Sequence, residues 1–337
     1  MHIGPTLSRL SRFIPVTIAT VAIVLAMVSA AQAAAFERRD VTFVSQGLKC
    51  AAWYYLPGDL LPGDKRPAIV MAHGYSAVKE SWLDNYADKF AAAGFVVLVF
   101  DYRFLGASEG EPRQQIFWQD QIKDYRNAIT WVSMQPQVDP ARIGVWGSSY
   151  SGGHVMHLAA FDKRVKAVVA QVPVTNVWEA YFARLPREAI EGIAGWHALA
   201  RAERMTSGKV LTFPVVGPEG QPAVLPQPES YRWFIDMADR APTWKNEVTV
   251  ESLENGMDYD PTAFIHLIAP TPLLMVIASD DIVTPTDGER KAFERAREPK
   301  QLVVVPGGHF EAYHGPKHLQ FFEPQLAWFQ RYLAGKP

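Results

Sequence analysis

Short runs in which almost every position is apolar recur along the chain, and they alternate with longer stretches in which apolar residues repeat at helical spacing. The apolar runs are Ala68–Ala72, Phe95–Phe100, Ile143–Trp146, Val165–Val172, Pro272–Ser279 and Gln301–Val305. The helical stretches are Trp82–Ala93, Ile116–Met134, His154–Ala160, Thr286–Arg297 and Leu319–Leu333. Strands that are apolar on both faces are typical of a parallel sheet covered by helices on both sides. The pattern therefore predicts an α/β protein with a mostly parallel sheet.

Two extended segments near the start of the folded part differ from this pattern. Val41–Val44 and Cys50–Leu56 are separated by Ser45-Gln46-Gly47, which predicts a β-hairpin and an antiparallel N-terminal edge of the sheet. Cys50 is the single cysteine, so no intrachain disulfide can form, and we expect it to be a small buried apolar residue.

One interval, residues 173–268, interrupts the alternation and contains no strongly apolar run. An insertion between consecutive strands lies over their carboxyl ends, where α/β sheets bind ligands. We interpret it as a helical cap, and a peripheral decoration is the alternative. Its aromatic residues Trp178, Tyr181, Phe182 and Trp196 are expected to pack within the cap rather than against substrate. If they face the site, they favour an apolar or aromatic acyl or alkyl group.

The N-terminus has the layout of a secretory signal peptide. Arg9 and Arg12 precede the apolar run Phe13–Val28, and Ala31-Gln32-Ala33 is a small-residue cleavage site. The run has 16 residues, fewer than the roughly 20 that a membrane-spanning helix needs. We therefore predict a signal peptide over residues 1–33, a single domain over 34–337, and export to the periplasm or the medium. An uncleaved membrane anchor is the alternative.

Composition excludes one class of partner. The chain has 337 residues, 48% hydrophobic and 20% charged, which suits a folded protein with a large core. A net charge of −2 gives no electrostatic reason to expect nucleic acid as a partner.

Polar side chains follow three of the predicted strands directly. Ser148, Ser149 and Ser151 follow Ile143–Trp146, Asp280 and Asp281 follow Pro272–Ser279, and His309 follows Gln301–Val305. Because the carboxyl ends of parallel strands meet at one edge of a sheet, these residues are expected to lie close together. A hydroxyl nucleophile, a base and an acid that orients the base are what acyl transfer by serine needs.

Spacing selects among the candidates. In the G-x-S-x-G form of a strand-to-helix turn, Gly147 places the nucleophile at Ser149, although Ser151 stands where the last glycine is usual. Asp281 is favoured as the acid because Asp281-Ile282-Val283-Thr284-Pro285 has the Asp-x-x-x-Pro form, with Asp280 as the alternative. His309, in a glycine-rich loop, is the predicted base.

Two backbone amides are the predicted oxyanion donors. One is the N–H of Tyr150, directly after the nucleophile, and the other is the N–H of Tyr75 in His73-Gly74-Tyr75, after Ala68–Ala72. His73 is expected to brace that loop. Asp101 and Arg103 are expected to pair with each other beneath the site.

Several longer stretches then resemble one known group of proteins. HGYSAVKE, VLVFDYRFLGASEGEPR, IGVWGSSYSGGH, ASDDIVTP and PGGHFEAY resemble, in order, the blocks of the dienelactone-hydrolase-like and acyl-esterase group of the α/β-hydrolase superfamily. The form Gly147-x-Ser149-Tyr150-x-Gly152 is also similar to the Xaa-Pro dipeptidyl-peptidase and cocaine-esterase type. The resemblance implies the α/β-hydrolase fold and serine-hydrolase chemistry. Strict dienelactone hydrolases use a cysteine nucleophile, and the serine here argues against that activity.

The sequence therefore predicts a serine hydrolase of carboxylic esters or thioesters, acting on a small molecule without a cofactor. A peptidase of Xaa-Pro or aminoacyl type, an acyltransferase and a non-catalytic binding protein on the same scaffold are the alternatives. His154 and His157 have the i, i+3 spacing of metal ligands, but no third ligand follows at a suitable spacing. We expect no metal, and a membrane as partner only if the N-terminal segment is uncleaved.

Overall fold

The computed structural model describes residues 1–2 and 35–335. The predicted signal peptide therefore lies outside the described residues, except for its first two positions. Within the described part, no helix combines the length and the apolar character that crossing a bilayer requires.

A mixed sheet of eight strands forms the centre of the described molecule. In spatial order the strands are β1 (Phe36–Ser45), β2 (Leu48–Pro57), β4 (Val96–Phe100), β3 (Arg66–Ala72), β5 (Val138–Ser148), β6 (Val165–Gln171), β9 (Leu273–Ala278) and β10 (Lys300–Val305). β1 and β2 form an antiparallel hairpin that also pairs antiparallel with β4, and the other pairings are parallel. The predicted hairpin edge and parallel sheet are confirmed.

Helices cover both faces of the sheet, as the apolar strands require. The main helices are α1 (Asp84–Ala92), α2 (Trp118–Ser133), α3 (Tyr150–Phe161), α7 (Thr286–Arg295) and α8 (His318–Leu333). α1 packs on α8 through Phe90 and Phe329, whose ring centroids are 5.4 Å apart. On the other face, α2 meets α3 where His154 Nε2 lies 2.7 Å from Gln121 Oε1. Cys50 is fully buried, as predicted.

The segment between β6 and β9 adds further elements to this frame. They are a π-helical turn at Trp178–Phe182, α4 (Arg187–Ser207), β7 (Thr212–Phe213), α5 (Pro228–Ala238), β8 (Val248–Thr249), α6 (Val250–Gly256) and a 3₁₀ turn at Ile265–Leu267. β7 and β8 pair antiparallel as a separate two-stranded sheet. This segment is called the insertion below.

The loops that follow β3, β5, β9 and β10 leave the sheet at the same edge, because these strands run parallel. Those are the loops that carry Tyr75, Ser149, Asp281 and His309. The topology thus brings residues that lie far apart in sequence to one edge.

Candidate active site

Ser149 occupies the sharp turn between β5 and α3. Its backbone has φ +58° and ψ −116°, a conformation that a residue with a side chain rarely adopts. The turn is tight because the incoming strand and the outgoing helix nearly touch. A Cβ atom built on Gly147 would lie 2.1 Å from the backbone oxygen of Ser151. Glycine at position 147 is therefore required by backbone geometry.

Gly147→Ala is expected to lower the free energy of unfolding by about 3 kcal/mol or more, because the added methyl meets backbone that cannot rotate away. Thermal and denaturant unfolding measure this change. Gly192→Ala in α4 is the matched control, since its added Cβ would meet nothing within 4 Å. That variant should be more stable than wild type by about 0.5–1 kcal/mol. Equal stability of the two variants would contradict the geometry.

The hydroxyls around the turn differ in their partners. Ser148 Oγ donates to the Tyr313 hydroxyl at 2.8 Å and accepts from Gln171 Nε2 at 3.0 Å. Ser151 Oγ donates to the His73 carbonyl and lies 2.5 Å from the Tyr102 hydroxyl.

Ser149 Oγ, in contrast, makes no hydrogen bond to any described residue, and Ser149 lines a cavity. Of the three candidate serines, Ser149 is therefore the one whose hydroxyl makes no hydrogen bond within the described part of the chain.

Asp281 and His309 lie in direct contact. His309 Nδ1 is 2.7 Å from Asp281 Oδ2, and both side chains are buried. Asp281 Oδ1 accepts from the backbone N–H groups of Val283 and Thr284, each at 2.8 Å. Asp280 is exposed and accepts from Ser279 Oγ at 2.7 Å. The geometry therefore distinguishes the two aspartates in favour of Asp281.

The structure brings Ser149 and His309 to the wall of the same cavity but forms no hydrogen bond between them. Nucleophile and base are often loosely spaced before substrate binds. Since Asp281 occupies the Nδ1 side of the ring, Nε2 is the nitrogen of His309 that remains free to face a reacting group.

The loop after β3 lies against the turn at Ser149. A Cβ atom built on Gly74 would lie 3.0 Å from Ser149 Cβ, and the rings of Tyr75 and Tyr150 meet edge to face at 5.2 Å. The backbone N–H groups of Tyr75 and Tyr150 donate to no acceptor among the described residues. The two amides are thus available beside the Ser149 hydroxyl.

Buried polar groups hold this loop in place. His73 Nδ1 contacts the Gly74 carbonyl at 2.9 Å, and burial lowers the pKa of His73, so that its ring is neutral. Asp101 binds Lys79 through both the backbone N–H, at 2.7 Å, and the ammonium group, at 2.9 Å.

The expected pairing of Asp101 with Arg103 is wrong. Arg103 binds Asp124 of α2, with Nε 2.6 Å from Oδ1, while Asp101 binds Lys79. Two separate buried ion pairs stand where one was expected.

A cavity of about 810 Å³ opens from Ser149 and His309 under the insertion. Its wall is mainly aliphatic and aromatic, and the insertion contributes Val177, Tyr181, Phe182, Leu185, Ile193, Trp196, Phe213, Val224, Leu225, Trp233, Phe234 and Leu253. Aspartate, glutamate, lysine and arginine are absent from this wall in the part of the chain described. Such a lining is typical of a site for an uncharged, mostly apolar ligand.

The expectation that the four aromatic residues pack within the cap rather than facing the site is wrong for three of them. Tyr181, Phe182 and Trp196 line the cavity, while Trp178 stacks on Phe182 with ring centroids 5.7 Å apart. Tyr181 also donates its hydroxyl to the Val283 carbonyl at 2.5 Å. The insertion is thereby tied to the loop that carries Asp281.

The two histidines of α3 do not form a metal site. His154 Nε2 lies 2.7 Å from Gln121 Oε1 and Nδ1 lies 2.5 Å from the Tyr259 hydroxyl, so both nitrogens are used. Burial lowers the pKa of His154 well below its ordinary value. Over residues 1–2 and 35–335, no cluster of His, Cys, Asp or Glu is arranged to hold a metal ion.

Sequence reasoning missed Thr284. Its hydroxyl lies 2.8 Å from Asp281 Oδ2 and 3.1 Å from His309 Nδ1. The sequence feature that could have indicated Thr284 is its position within the Asp-x-x-x-Pro loop, one residue before Pro285.

The fold and the order of its strands define the chain as an α/β-hydrolase. The crystal structure of the α/β-hydrolase GrgF from Penicillium sp. sh18 has a TM-score of 0.77 with it, at 27% identity, covering 88% of this chain and 99% of that one. Residues 46–311 match the family described as X-Pro dipeptidyl-peptidase (S15 family), and the chain belongs to that family.

The chain is also similar to two enzymes whose names state an activity. The thiohydrolase aneE of Aspergillus aculeatus is 33% identical, over 83% of this chain and 91% of its own length. The polyketide transferase ATR5 of Stachybotrys chlorohalonatus is 32% identical, over 89% of this chain and 99% of its own length. These similarities agree with the α/β-hydrolase resemblance predicted from the sequence and confirm it.

Proposed function

We propose that this chain is a serine hydrolase that cleaves carboxylic esters or thioesters through an acyl-enzyme on Ser149. The observation that carries the proposal is the contact of 2.7 Å between His309 and Asp281, beside a cavity wall that also holds Ser149. The thiohydrolase among the relatives supports the thioester part.

The proposed reaction has two halves. His309 Nε2 takes the proton of Ser149 as the hydroxyl oxygen attacks the acyl carbonyl carbon, and Asp281 stabilises the imidazolium that forms. The Tyr75 and Tyr150 amides donate to the carbonyl oxygen as it gains charge. His309 then returns the proton to the leaving oxygen or sulfur as its bond to the acyl carbon breaks. Water, deprotonated by His309, attacks the acyl-enzyme and releases the acid and the free Ser149 hydroxyl.

A peptidase is the alternative that the family description raises. Such an activity on short peptides needs an anionic group to hold the substrate's free amine. Glu188 and Glu191 of the insertion are exposed and do not line the cavity, and Glu191 pairs with Arg187 at 2.7 Å. Glu229, at the start of α5, lies beside Gly308 but does not line the cavity either. We therefore favour ester or thioester substrates over peptides.

An acyltransferase remains a second candidate because one relative is named a polyketide transferase. Transfer differs from hydrolysis only in the nucleophile that resolves the acyl-enzyme. Turnover of an ester in the presence of a primary alcohol distinguishes them, since a transferase forms the new ester faster than free acid.

The test of the proposal is labelling and turnover together. A fluorophosphonate probe should label Ser149, located by mass spectrometry of the peptides, and the protein should hydrolyse p-nitrophenyl esters and acyl thioesters. Xaa-Pro and aminoacyl anilides, assayed in parallel, should be poor substrates. Labelling elsewhere, or faster cleavage of the anilides than of the esters, would overturn the proposal.

The apolar cavity predicts a preference for longer acyl chains. An octanoyl ester has six more methylenes than an acetyl ester, and burial of each contributes about 0.8 kcal/mol. If only half of them are buried, the gain is about 2.4 kcal/mol, so kcat/KM should rise by at least about 50-fold. Ile193→Asp places a charge on the cavity wall and should therefore reduce the preference for longer acyl chains. Leu199→Asp on the same helix is the control, because Leu199 is exposed and does not line the cavity. A flat chain-length profile in wild type would contradict the prediction.

We also propose that the protein is exported after cleavage near Ala33, with residues 173–268 acting as a cap over the site. The support for export is the sequence layout of residues 1–33. N-terminal sequencing of the protein from the producing cells tests it, since an intact Met1 in the membrane fraction would indicate an anchor.

A further inference from the structure

Thr284 stands where the loop after β9 turns towards α7, and it is almost fully buried. Its hydroxyl oxygen lies 2.8 Å from Asp281 Oδ2, 3.1 Å from His309 Nδ1 and 3.1 Å from the Val172 carbonyl oxygen. Its backbone N–H donates to Asp281 Oδ1 at 2.8 Å. One residue therefore contacts both oxygens of the acid and the ring nitrogen of the base.

The hydroxyl has one proton, and two acceptors lie within its reach. The distance to Asp281 Oδ2 is shorter than that to the Val172 carbonyl, which favours donation to the carboxylate. The lone pairs of the oxygen are then left for the N–H on His309 Nδ1. In this arrangement Asp281 accepts four hydrogen bonds, from Val283, from His309 and twice from Thr284.

A second buried acid lies near Thr284. Glu289 on α7 is fully buried, and neither of its carboxyl oxygens has a hydrogen-bond partner among the described residues. Burial and the nearby Asp281 raise the pKa of Glu289 well above its ordinary value. Of these two acids, Asp281 is the one with an oxygen at hydrogen-bond distance from the Thr284 hydroxyl in the described part of the chain.

We propose that Thr284 is a positioning residue of the catalytic triad, whose hydroxyl fixes the Asp281 carboxylate and the His309 ring in one relative orientation. This inference rests on the proposed function of the same site. Without the hydroxyl, Asp281 Oδ2 loses one donor and the ring loses one of the two acceptors beside Nδ1. Enzyme molecules in which the His309 ring and the Asp281 carboxylate deviate from the productive orientation then react more slowly. The cavity proposed to bind the acyl group is unchanged.

The experiment compares Thr284→Val with wild type, measuring kcat, KM, the rate of fluorophosphonate labelling and the melting temperature. Loss of a hydrogen bond to a charged group predicts a fall of about 10- to 100-fold in kcat and in labelling rate, with KM changed by less than about 3-fold. Thr284→Ser, which keeps the hydroxyl, should stay within about 3-fold of wild type.

Thr286→Val, at the first residue of α7 and two positions after Thr284, is the matched control. The Thr286 hydroxyl donates to the Ala278 carbonyl at 2.9 Å and makes no hydrogen bond to the acid or the base. The same chemical change there should leave kcat within about 2-fold of wild type, even if it lowers the melting temperature.

Each remaining outcome decides the matter. If Thr284→Val does not fold, Thr284→Ser and Thr284→Ala differ by one hydroxyl at the same site, and a ratio of about 10 or more in kcat supports the inference. Equal rates for that pair, or wild-type kcat in Thr284→Val, overturn it. If the Thr284 variants contradict the inference while Ser149→Ala is inactive, only this inference fails and the proposed function stands. If Ser149→Ala keeps full activity, the proposed function fails as well.

Discussion

Ser149→Ala is expected to lower kcat/KM for p-nitrophenyl esters by about 10⁴- to 10⁶-fold and to abolish fluorophosphonate labelling. The Ser149 hydroxyl oxygen is the atom that we propose forms the acyl-enzyme. It makes no hydrogen bond to the described residues, so its removal should change the stability of the fold little. Steady-state kinetics with the purified variant, together with its melting temperature, measure both parts of this expectation.

The neighbouring serines provide controls that carry the same substitution. Ser151→Ala and Ser148→Ala remove hydroxyls that bind Tyr102 and Tyr313, so each should lower stability by about 1 kcal/mol while labelling at Ser149 continues. Activity that disappears in Ser151→Ala and persists in Ser149→Ala would mean that the glycine register identifies the wrong serine.

The main elements and the candidate triad could be predicted from the sequence because each signal is local. A run that is apolar at every position specifies a buried strand, and the residue directly after it must lie at the carboxyl edge of a parallel sheet. Ser149 and Asp281 follow such runs, whereas His309 follows the partly exposed edge strand β10 after a short glycine-containing loop. Their common edge follows from topology alone, without knowledge of any side-chain contact.

The side-chain partners could not be predicted, because they depend on packing between distant segments. Arg103 is two residues from Asp101, and yet it binds Asp124 on α2. Asp101 instead meets Lys79, from the loop after β3. No spacing along the chain distinguishes these pairings.

The cavity wall could not be predicted for a related reason. A stretch of aromatic residues can form the core of its own segment or face a ligand, and the sequence pattern is the same in both cases. The outcome depends on how α4 and the turn at Trp178–Phe182 lie over the sheet edge. Trp196 and Phe182 line the cavity because these elements leave room beneath them rather than closing on the strands.

Asp281→Asn is expected to lower kcat by about 10⁴-fold with little loss of stability. Two backbone N–H groups, of Val283 and Thr284, point at the Oδ1 position, so the amide oxygen of the asparagine will face them. Its NH₂ group then faces His309 Nδ1, which must become an acceptor. The ring proton moves to Nε2, and this nitrogen, which we propose accepts the proton of Ser149, can no longer do so. Single-turnover acylation by a p-nitrophenyl ester measures this step directly.

Asp280→Asn is the matched control, one residue away in the same loop. Its carboxylate is exposed and accepts a hydrogen bond from Ser279 Oγ at 2.7 Å, which an amide oxygen can also accept. The acylation rate of this variant should stay within about 2-fold of wild type. Because both substitutions remove one negative charge from the same loop, a general electrostatic effect would slow the two variants alike. A loss confined to Asp281→Asn would mean that the tautomer of His309 determines the rate, whereas a comparable loss in Asp280→Asn would contradict the assignment of the acid.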